Sequence, residues 1–277
     1  EVAQGYEDVA DPSIYFACPL ADDPSRAFLV WTTTPWTLPS NVALALSADI
    51  EYVEVAAPEG HAVQSYILAA TRVDALFGED ARVLRRMQAG ELAGTRYQRP
   101  FEIIPEGDGA ENAWQVVLED FVTASDGTGI VHLAPAFGAD DYAAGQRHGL
   151  PMYRPVDDAG RFREGLDLIG GSFVKDADAV LVDALKQRGL VFRYSLETHS
   201  YPHCWRCRSP LLYMARDSWY IRTTAVRDRM LANNAQVAWH PPEIGTGRFG
   251  EWLEGNIDWA ISRERYWGTP LPIWVCD

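Results

Sequence analysis

Apolar residues recur in short runs through the first part of the chain, and clusters of Gly, Pro and Asp separate these runs. The pattern is typical of short strands joined by turns, and it favours a barrel or a curled sheet. Apolar positions near helical spacing predict a longer helix over 176–188, with Gly189 as its C-cap. The pattern places strands at 13–17, 27–34, 42–46, 52–56, 62–69, 102–105, 114–118 and 129–133, and further helices at 72–77, 140–148, 225–233 and 249–261.

Three threonines and a proline follow the apolar run 28–31. β-Branched threonines suit the end of a strand, and side-chain alternation puts Thr32 and Thr34 on one face with Thr33 on the other. Pro35 ends the ladder because it has no backbone N–H to donate. The strand end therefore presents hydroxyl groups that can donate and accept hydrogen bonds. For this segment alone, a functional site and threonines selected only for β propensity both stay open.

A second segment places one histidine inside the short apolar strand 130–133 and two acids at the start of the next helix. Glycines on both sides of Thr128 predict a turn before this strand. The helix dipole and free N–H groups stabilise an acid in the first turn, so we expect Asp141 to be ionised and able to bind an ammonium group. His132 is also compatible with a hydrogen-bonded core position, and Asp140 or Asp141 with an N-cap.

Cys204 and Cys207 form a CxxC pair, while Cys18 and Cys276 are isolated. A structural zinc ion needs four ligands, of which one CxxC supplies two. No thioredoxin-like βαβ pattern surrounds the pair, so half of a zinc site is favoured over a redox pair. The cysteine usage indicates a reducing compartment. With no membrane-length apolar run and no signal peptide, a cytoplasmic protein without a membrane partner is predicted.

The composition fits an enzyme better than a general nucleic-acid binder. The chain has 277 residues, 47% of them hydrophobic, and a net charge of −15 from 24 basic and 39 acidic side chains. A sizeable core is therefore available, whereas no global field attracts phosphate groups. Between Arg206 and Arg229, arginines alternate with Trp and Tyr. This stretch is compatible with a local RNA-facing stripe and with a solvated helix face.

Three stretches together resemble the isoleucyl-tRNA synthetase family and follow that family's order along the chain. They are WTTTPWTLPSN at 31–41, GTGIVHLAPAFGADD at 127–141 and SRERYWGTPLPIW at 262–274. The first two resemble the two walls of one pocket in the family's editing domain. The third resembles the strand by which this insertion rejoins the Rossmann catalytic domain. The resemblance runs from near Glu1 to Asp277.

The resemblance implies hydrolysis of the ester bond that wrongly attaches valine to tRNA(Ile), and hydrolysis of valine adenylate. It implies that Asp141 binds the amino group of the substrate, and that His132 forms the floor of the side-chain pocket and helps to exclude isoleucine. The threonines would lie beside the ribose. The implied catalytic residues are Thr32, Thr33, Thr34 and Asp141, and the implied substrate-binding residues are Trp36, Asn41, His132, Ala134 and Phe137.

The chemistry expected in this pocket uses no cofactor. The sequence has no Gly-x-Ser-x-Gly elbow and no metal-ligand cluster near His132, so a positioned water is the expected nucleophile. In the family, a second CxxC lies just upstream of the point where this chain begins, so zinc is expected only in the full-length parent. The HIGH and KMSKS signatures for ATP are absent, and synthesis of aminoacyl-adenylate by this chain is not expected.

The predicted fold is α+β, with a barrel-like editing core of short strands and surrounding helices over 1–195. An irregular and helical return arm over 196–277 is expected to lead towards the catalytic domain. The expected partners are the 3′ end of mischarged tRNA(Ile), valine adenylate and the rest of the synthetase. Two other functions stay open: a tRNA-binding or interaction module without turnover, and a hydrolase of a broader range of aminoacyl esters.

Overall fold

The computed structural model describes residues 5–263 and 268–276. The chain forms two compact units, Glu1–Ala215 and Arg216–Asp277. The strands of the first unit are β1 (Tyr6–Pro19), β2 (Arg26–Thr32), β3 (Ala43–Leu46), β4 (Glu51–Ala56), β5 (Ser65–Ala69), β6 (Val83–Gln88), β7 (Gln115–Leu118), β8 (Val131–Leu133) and β9 (Val191–Pro202). Its helices are α1 (Val73–Phe77), α2 (Ala89–Leu92), α3 (Ala139–His148) and α4 (Val174–Gln187).

The strands of the first unit form two sheets. The larger sheet has six strands in the order β6-β4-β5-β2-β1-β9, and the smaller has three in the order β7-β3-β8. Most neighbours are antiparallel, but β2 pairs with β5 and β3 with β7 in parallel. The α+β class is confirmed, whereas the described residues of the first unit form two separate sheets and no closed barrel.

Buried apolar runs explain the central strands of the larger sheet. Ala27 to Val30 of β2 and Ile67 to Ala69 of β5 are fully buried. A strand covered on both faces is expected to read as a continuous apolar run. Helix α4 buries Leu181 and Leu185 completely and packs against β1, β9 and the 3₁₀ helix Pro35–Ser40. This packing brings α4 next to the threonine segment.

Some sequence predictions fail where local patterns carry little information. Residues 102–105 are not a strand, while the strand β6 was not predicted. Five of the six residues of β6 are exposed, because it lies at the edge of its sheet, so its sequence lacks apolar alternation. The predicted domain boundary after residue 195 falls inside β9. The first unit extends to Ala215, because β9 pairs with β1 as far as Pro202 and the N–H of Ala215 donates to the carbonyl oxygen of Ala136 at 2.7 Å.

The second unit is small and has three short α-helices. Its helices are α5 (Arg227–Asn234), α6 (Glu243–Thr246) and α7 (Arg248–Glu254), and its two short strands are β10 (Tyr220–Ile221) and β11 (Trp259–Ala260). The helix predicted over 249–261 ends early, because Gly255 follows Glu254 and the chain then forms β11. Residues 264–267 of the third motif lie outside the described residues. No helix in the described part of the chain is both long and apolar enough to cross a membrane.

Candidate functional site

The threonine segment has the geometry that side-chain alternation predicts. Strand β2 ends at Thr32, whose hydroxyl oxygen accepts the backbone N–H of Thr34 at 3.1 Å. The hydroxyl oxygens of Thr32 and Thr34 are 3.3 Å apart, so both side chains lie on the same side. Pro35 then begins the 3₁₀ helix Pro35–Ser40. Proline suits this first helical position because its missing N–H needs no partner there.

Thr37 joins the threonine segment to the histidine strand. Its hydroxyl donates to the carbonyl oxygen of Thr34 at 2.8 Å and lies 3.0 Å from Nε2 of His132. The stretches 31–41 and 127–141, which resemble the two walls of one pocket, are therefore in direct contact. Thr37 itself was not among the predicted site residues, although it belongs to the same threonine-rich motif.

His132 is a buried and neutral side chain. It lies in β8 opposite Leu44 of β3, and burial lowers the pKa of its imidazole to about 4. The Thr37 hydroxyl has one proton, which it donates to Thr34, so it must accept a proton from Nε2 of His132. This pattern assigns the proton to Nε2 and leaves Nδ1 as an acceptor. Nδ1 is buried and has no hydrogen-bond partner among the described residues.

Asp141 lies in the first turn of α3 and faces back towards the histidine strand. Its Oδ2 accepts the backbone N–H of Ala134 at 2.8 Å. A Cβ atom on Gly138 would lie 2.8 Å from Asp141 Oδ1, so the glycine allows this approach. Burial raises the pKa of the Asp141 carboxyl, while the bond from Ala134 opposes this shift. Burial thus outweighs the local stabilisation that the helix dipole alone predicts.

Two aromatic rings from the two segments meet beside these polar groups. Trp36 and Phe137 pack edge to face, with ring centroids 4.8 Å apart and an interplanar angle of 72°. Trp36 is buried, and its indole N–H has no acceptor among the described residues. Ala134 is also buried. Trp36 directly precedes Thr37, which contacts His132, and the N–H of Ala134 binds Asp141, so these apolar residues adjoin the polar groups along the chain.

Asn41 holds the end of the 3₁₀ helix in place through its hydrogen bonds. Its Oδ1 accepts the Tyr97 hydroxyl at 2.7 Å, and its Nδ2 donates to the carbonyl oxygen of Ala43 at 3.2 Å. The indole of Trp114 donates to the Asn41 carbonyl oxygen at 3.0 Å. These contacts fix the end of the 3₁₀ helix. A substrate contact by Asn41 stays a prediction.

Two glycines fix the turn that leads into the histidine strand. Gly127 and Gly129 both have positive φ angles, of 61° and 73°. A Cβ atom on Gly127 would lie 2.6 Å from the Trp31 ring, and one on Gly129 would lie 2.5 Å from Cβ of Ala69. The carbonyl oxygen of Gly129 also accepts the Tyr52 hydroxyl at 2.8 Å. The turn therefore packs directly on the larger sheet.

Asp178 of α4 is a second site residue that sequence reasoning missed. Its Oδ1 accepts the backbone N–H of Trp36 at 2.7 Å. Burial raises the pKa of its carboxyl to about 7. The signal was present in the sequence, because Asp178 occupies a position of the apolar stripe of α4, between Val174 and Leu181. A buried acid within such a stripe needs a specific partner.

Cys204 and Cys207 lie in one turn, and their role as zinc ligands stays a prediction. They lie in a turn in which the Cys204 N–H donates to the Ser209 carbonyl and the Arg208 N–H to the Cys204 carbonyl, both at 2.8 Å. Hydrogen bonding with Ser209 lowers the pKa of the Cys207 thiol to about 7, which favours a thiolate ligand. Among the described residues, no group of three or more His, Cys, Asp or Glu side chains could hold a metal ion. Two cysteines could supply two of the four ligands that a structural zinc ion needs.

Comparisons with known proteins agree on one family. A family model described as tRNA synthetases class I (I, L, M and V) matches residues 28–277. Isoleucine–tRNA ligases from Thermobifida fusca and Streptomyces avermitilis are 51% and 47% identical over 99% and 100% of this chain. One from Bacillus thuringiensis is 48% identical over 100% of the chain. The chain spans 26% of the length of each of these relatives.

Two solved structures share the fold. The crystal structure of GlLeuRS-CP1 is 14% identical, with a TM-score of 0.50, and the match covers 67% of this chain and 99% of that one. The editing domain of the cytosolic leucyl-tRNA synthetase from P. knowlesi is 10% identical, with a TM-score of 0.52 over 69% of this chain and 99% of that one. At these identities the likeness concerns the fold.

Proposed function

The chain belongs to the class I tRNA synthetases of the I, L, M and V group, and from this premise we propose that it performs the editing reaction of an isoleucyl-tRNA synthetase. The resemblance to that family is confirmed by relatives that are about half identical over the whole chain. The substrate that we propose is valyl-tRNA(Ile), together with valine adenylate. The relatives' ligase activity is not expected of this chain, which matches about a quarter of their length.

The proposal depends above all on the contact between the two motif segments. The Thr37 hydroxyl lies 3.0 Å from the His132 ring and also binds Thr34. This contact joins the segment rich in hydroxyl groups to the strand of His132, and the N–H of Ala134, which follows that strand, binds the half-buried Asp141 carboxylate. An aminoacyl ester has groups that match each of these surfaces: a ribose, an ammonium group and a small apolar side chain.

In the proposed reaction, water adds to the carbonyl carbon of the ester, and the bond between that carbon and the ribose oxygen breaks. The ribose oxygen takes up a proton, and free valine leaves. Asp141 binds the ammonium group next to the reacting carbonyl. Its pKa is raised by burial, so a bound ammonium ion would supply the missing countercharge. Orientation and electrostatic preorganisation of this kind can supply much of a rate enhancement.

His132 is proposed to set the size limit of the pocket. Its ring is buried, neutral and fixed by Thr37, so it acts as a rigid wall rather than as a charged group. A rigid wall can exclude one methylene group more effectively than a mobile one. Trp36, Ala134 and Phe137 are proposed to contact the apolar part of the substrate. Hydroxyls of the threonine segment are proposed to contact the ribose.

The proposed partners are the 3′ end of mischarged tRNA(Ile) and the remainder of a synthetase. We propose the cytoplasm as the compartment, in agreement with four cysteines that are all free thiols. Zinc is proposed only for a site in which Cys204 and Cys207 supply two ligands and two further residues supply the others. The editing pocket is proposed to work without a metal ion.

The test separates the charge of Asp141 from its structural bond. Asp141→Asn keeps an acceptor for the Ala134 N–H but removes the charge, and Asp140→Asn is the matched control on the exposed neighbouring position. We expect kcat/KM for valyl-tRNA hydrolysis to fall roughly 100-fold in Asp141→Asn and to stay unchanged in the control.

Undiminished hydrolysis by a folded Asp141→Asn variant would contradict the anchoring role. Isoleucyl-tRNA is the specificity control. If the chain hydrolyses both esters equally, it is a broader aminoacyl-ester hydrolase. If it binds valyl-tRNA without turnover, it is an interaction module.

A further inference from the structure

The 3₁₀ helix that follows the threonine segment lacks a local cap. The first N–H groups of a helix have no partner inside the helix. Pro35 has no N–H, and the side chain of Thr34 makes no capping bond. The N–H of Trp36 instead donates to Oδ1 of Asp178 at 2.7 Å. The acceptor for this turn therefore comes from α4, 142 residues later in the sequence.

Packing of α4 fixes the position of the Asp178 carboxylate. Asp178 is 3% exposed, and Val174, Ala177 and Leu181 on the same face of the helix are fully buried. Helix α4 contacts both β1 and the 3₁₀ helix. A side chain enclosed in this way has few alternative rotamers, so it provides a fixed acceptor for the turn.

The turn that Asp178 caps carries the contact between the two walls of the pocket. Thr37 follows Trp36 directly, and its hydroxyl binds both Thr34 and His132. A shift of the Trp36 backbone would therefore change both of these bonds. We propose that Asp178 is a positioning residue of the site, which acts through the Trp36 N–H to hold Thr37 between Thr34 and His132. The kinetic test of this role depends on the proposed function, whereas its structural test does not.

The charged and titratable groups that face Asp178 come from three elements. Lys175 lies on α4 itself, Asp11 on β1, and Tyr201 on β9. Lys175 Nζ bonds to Asp11 Oδ2 at 2.6 Å and lies 4.5 Å above the Tyr201 ring, and His199 Nε2 also contacts Asp11 Oδ2, at 3.0 Å. Burial has a larger effect on the Asp178 pKa than the Trp36 hydrogen bond and the charge of Lys175, which is already paired with Asp11. It therefore raises the pKa of Asp178 to about 7.

The protonation state of Asp178 should therefore modulate the positioning contact. An ionised carboxylate accepts a stronger hydrogen bond than a neutral one. As Asp178 loses its proton, its bond from the Trp36 N–H tightens. Hydrolysis that depends on this turn should rise with pH in the range where Asp178 ionises, and the rise should disappear when the group cannot ionise.

Three variants of the 277-residue chain test the structural part by ¹H–¹⁵N NMR. Asp178→Ala removes the acceptor, Asp178→Asn keeps it without the charge, and Asp183→Ala is the control at an exposed position of α4. We expect Asp178→Ala to shift the signals of the Trp36 amide and the His132 ring, Asp178→Asn to shift them less, and the control to leave both unchanged.

A wild-type titration keeps the structural test independent of how well the alanine variant folds. The Trp36 amide shift should show an inflection with pH that Asp178→Asn abolishes. Unchanged Trp36 and His132 signals in a folded Asp178→Ala variant would overturn the proposal. A wild-type titration without an inflection at Trp36 would also overturn it.

Hydrolysis of valyl-tRNA tests the functional part. We expect kcat to fall about 10- to 100-fold in Asp178→Ala with a smaller change in KM, because misplacement of a turn lowers the rate of a positioned reaction. Asp178→Asn should recover most of kcat and flatten its pH profile. Full kcat in Asp178→Ala would refute the role. If the wild-type chain does not hydrolyse valyl-tRNA, the proposed function fails, and the NMR measurements still decide whether Asp178 positions the turn.

Discussion

Gly129 is a position at which one added methyl group should destabilise the fold. Its φ angle is 73°, and a Cβ atom there would lie 2.5 Å from Cβ of Ala69, which is fully buried in β5. Left-handed backbone costs alanine about 1–2 kcal/mol. Overpacking in a closed core adds about 1–3 kcal/mol. We therefore expect Gly129→Ala to lower the free energy of unfolding of the first unit by about 2–5 kcal/mol.

Gly60 provides a matched control for the backbone contribution. Its φ angle is 85°, but a Cβ atom there would meet nothing within 4 Å. Gly60→Ala should therefore cost only the backbone share, about 1–2 kcal/mol. The difference between the two variants measures the steric overlap. Urea unfolding, followed through the NMR signals of amides in β2 and β5, gives both values.

A double mutant identifies the clashing partner. Ala69→Gly removes the methyl group that the new Cβ of Gly129→Ala would strike. If the contact is as close as the structure indicates, the two substitutions together should be less destabilising than the sum of their separate effects, by about 1–3 kcal/mol. Additive effects would refute this reasoning, and so would equal losses in Gly129→Ala and Gly60→Ala.

Three further predictions concern the site. His132→Ala should allow hydrolysis of isoleucyl-tRNA, because it opens the space for one more methylene group. One methylene corresponds to a discrimination of about 1–3 kcal/mol, for which isoleucyl-tRNA synthetase is itself the standard example. His61→Ala is the control, and a His132→Ala variant that still spares isoleucyl-tRNA would assign the size limit to another residue. Chelation, or Cys204→Ser with Cys207→Ser, should leave valyl-tRNA hydrolysis unchanged, because the hydrogen bonds of both cysteines stay within the turn 204–209. Loss of turnover without unfolding would place a metal in the reaction. The pKa of Asp178 is raised from 3.8 to about 7 on folding, so the folded state binds this proton more tightly than the unfolded state does. The stability gained from this proton is complete below the unfolded pKa and is lost as pH rises towards 7. Urea unfolding should show the free energy of unfolding falling by about 2–3 kcal/mol from pH 5 to pH 8, and an equal slope in Asp178→Asn would contradict this.

The sequence predicts those parts of the site that depend on local periodicity. Alternation along a strand has a period of two and predicts Thr32 and Thr34 on one side. Their hydroxyl oxygens are 3.3 Å apart, although β2 itself ends at Thr32 and not at residue 34 as predicted. Helical spacing likewise predicts most of α4. Both features depend on residues that are close in the chain.

Features set by distant partners could not be predicted in this way. Thr37 gains its importance from His132, 95 residues away, and Asp178 from Trp36, 142 residues away. The raised pKa of Asp141 results from burial by the surrounding fold, whereas reasoning from its helix alone indicated the opposite direction. The roles of the site residues stay predictions until the substitutions are measured.

The pairing of β1 with β9 has a consequence for the order of folding. These strands pair from Tyr6 with Pro202 to Phe16 with Val191, across a chain segment of roughly 170 residues. Closing so long a loop costs entropy before the contacts form, so this step should be slow. During synthesis, β1 is also an open sheet edge until β9 emerges, after a delay of about 10–35 s at typical elongation rates. Because α4 immediately precedes β9, Asp178 arrives in the same late stretch, and the nascent chain can complete its pocket only near the end of this unit's synthesis.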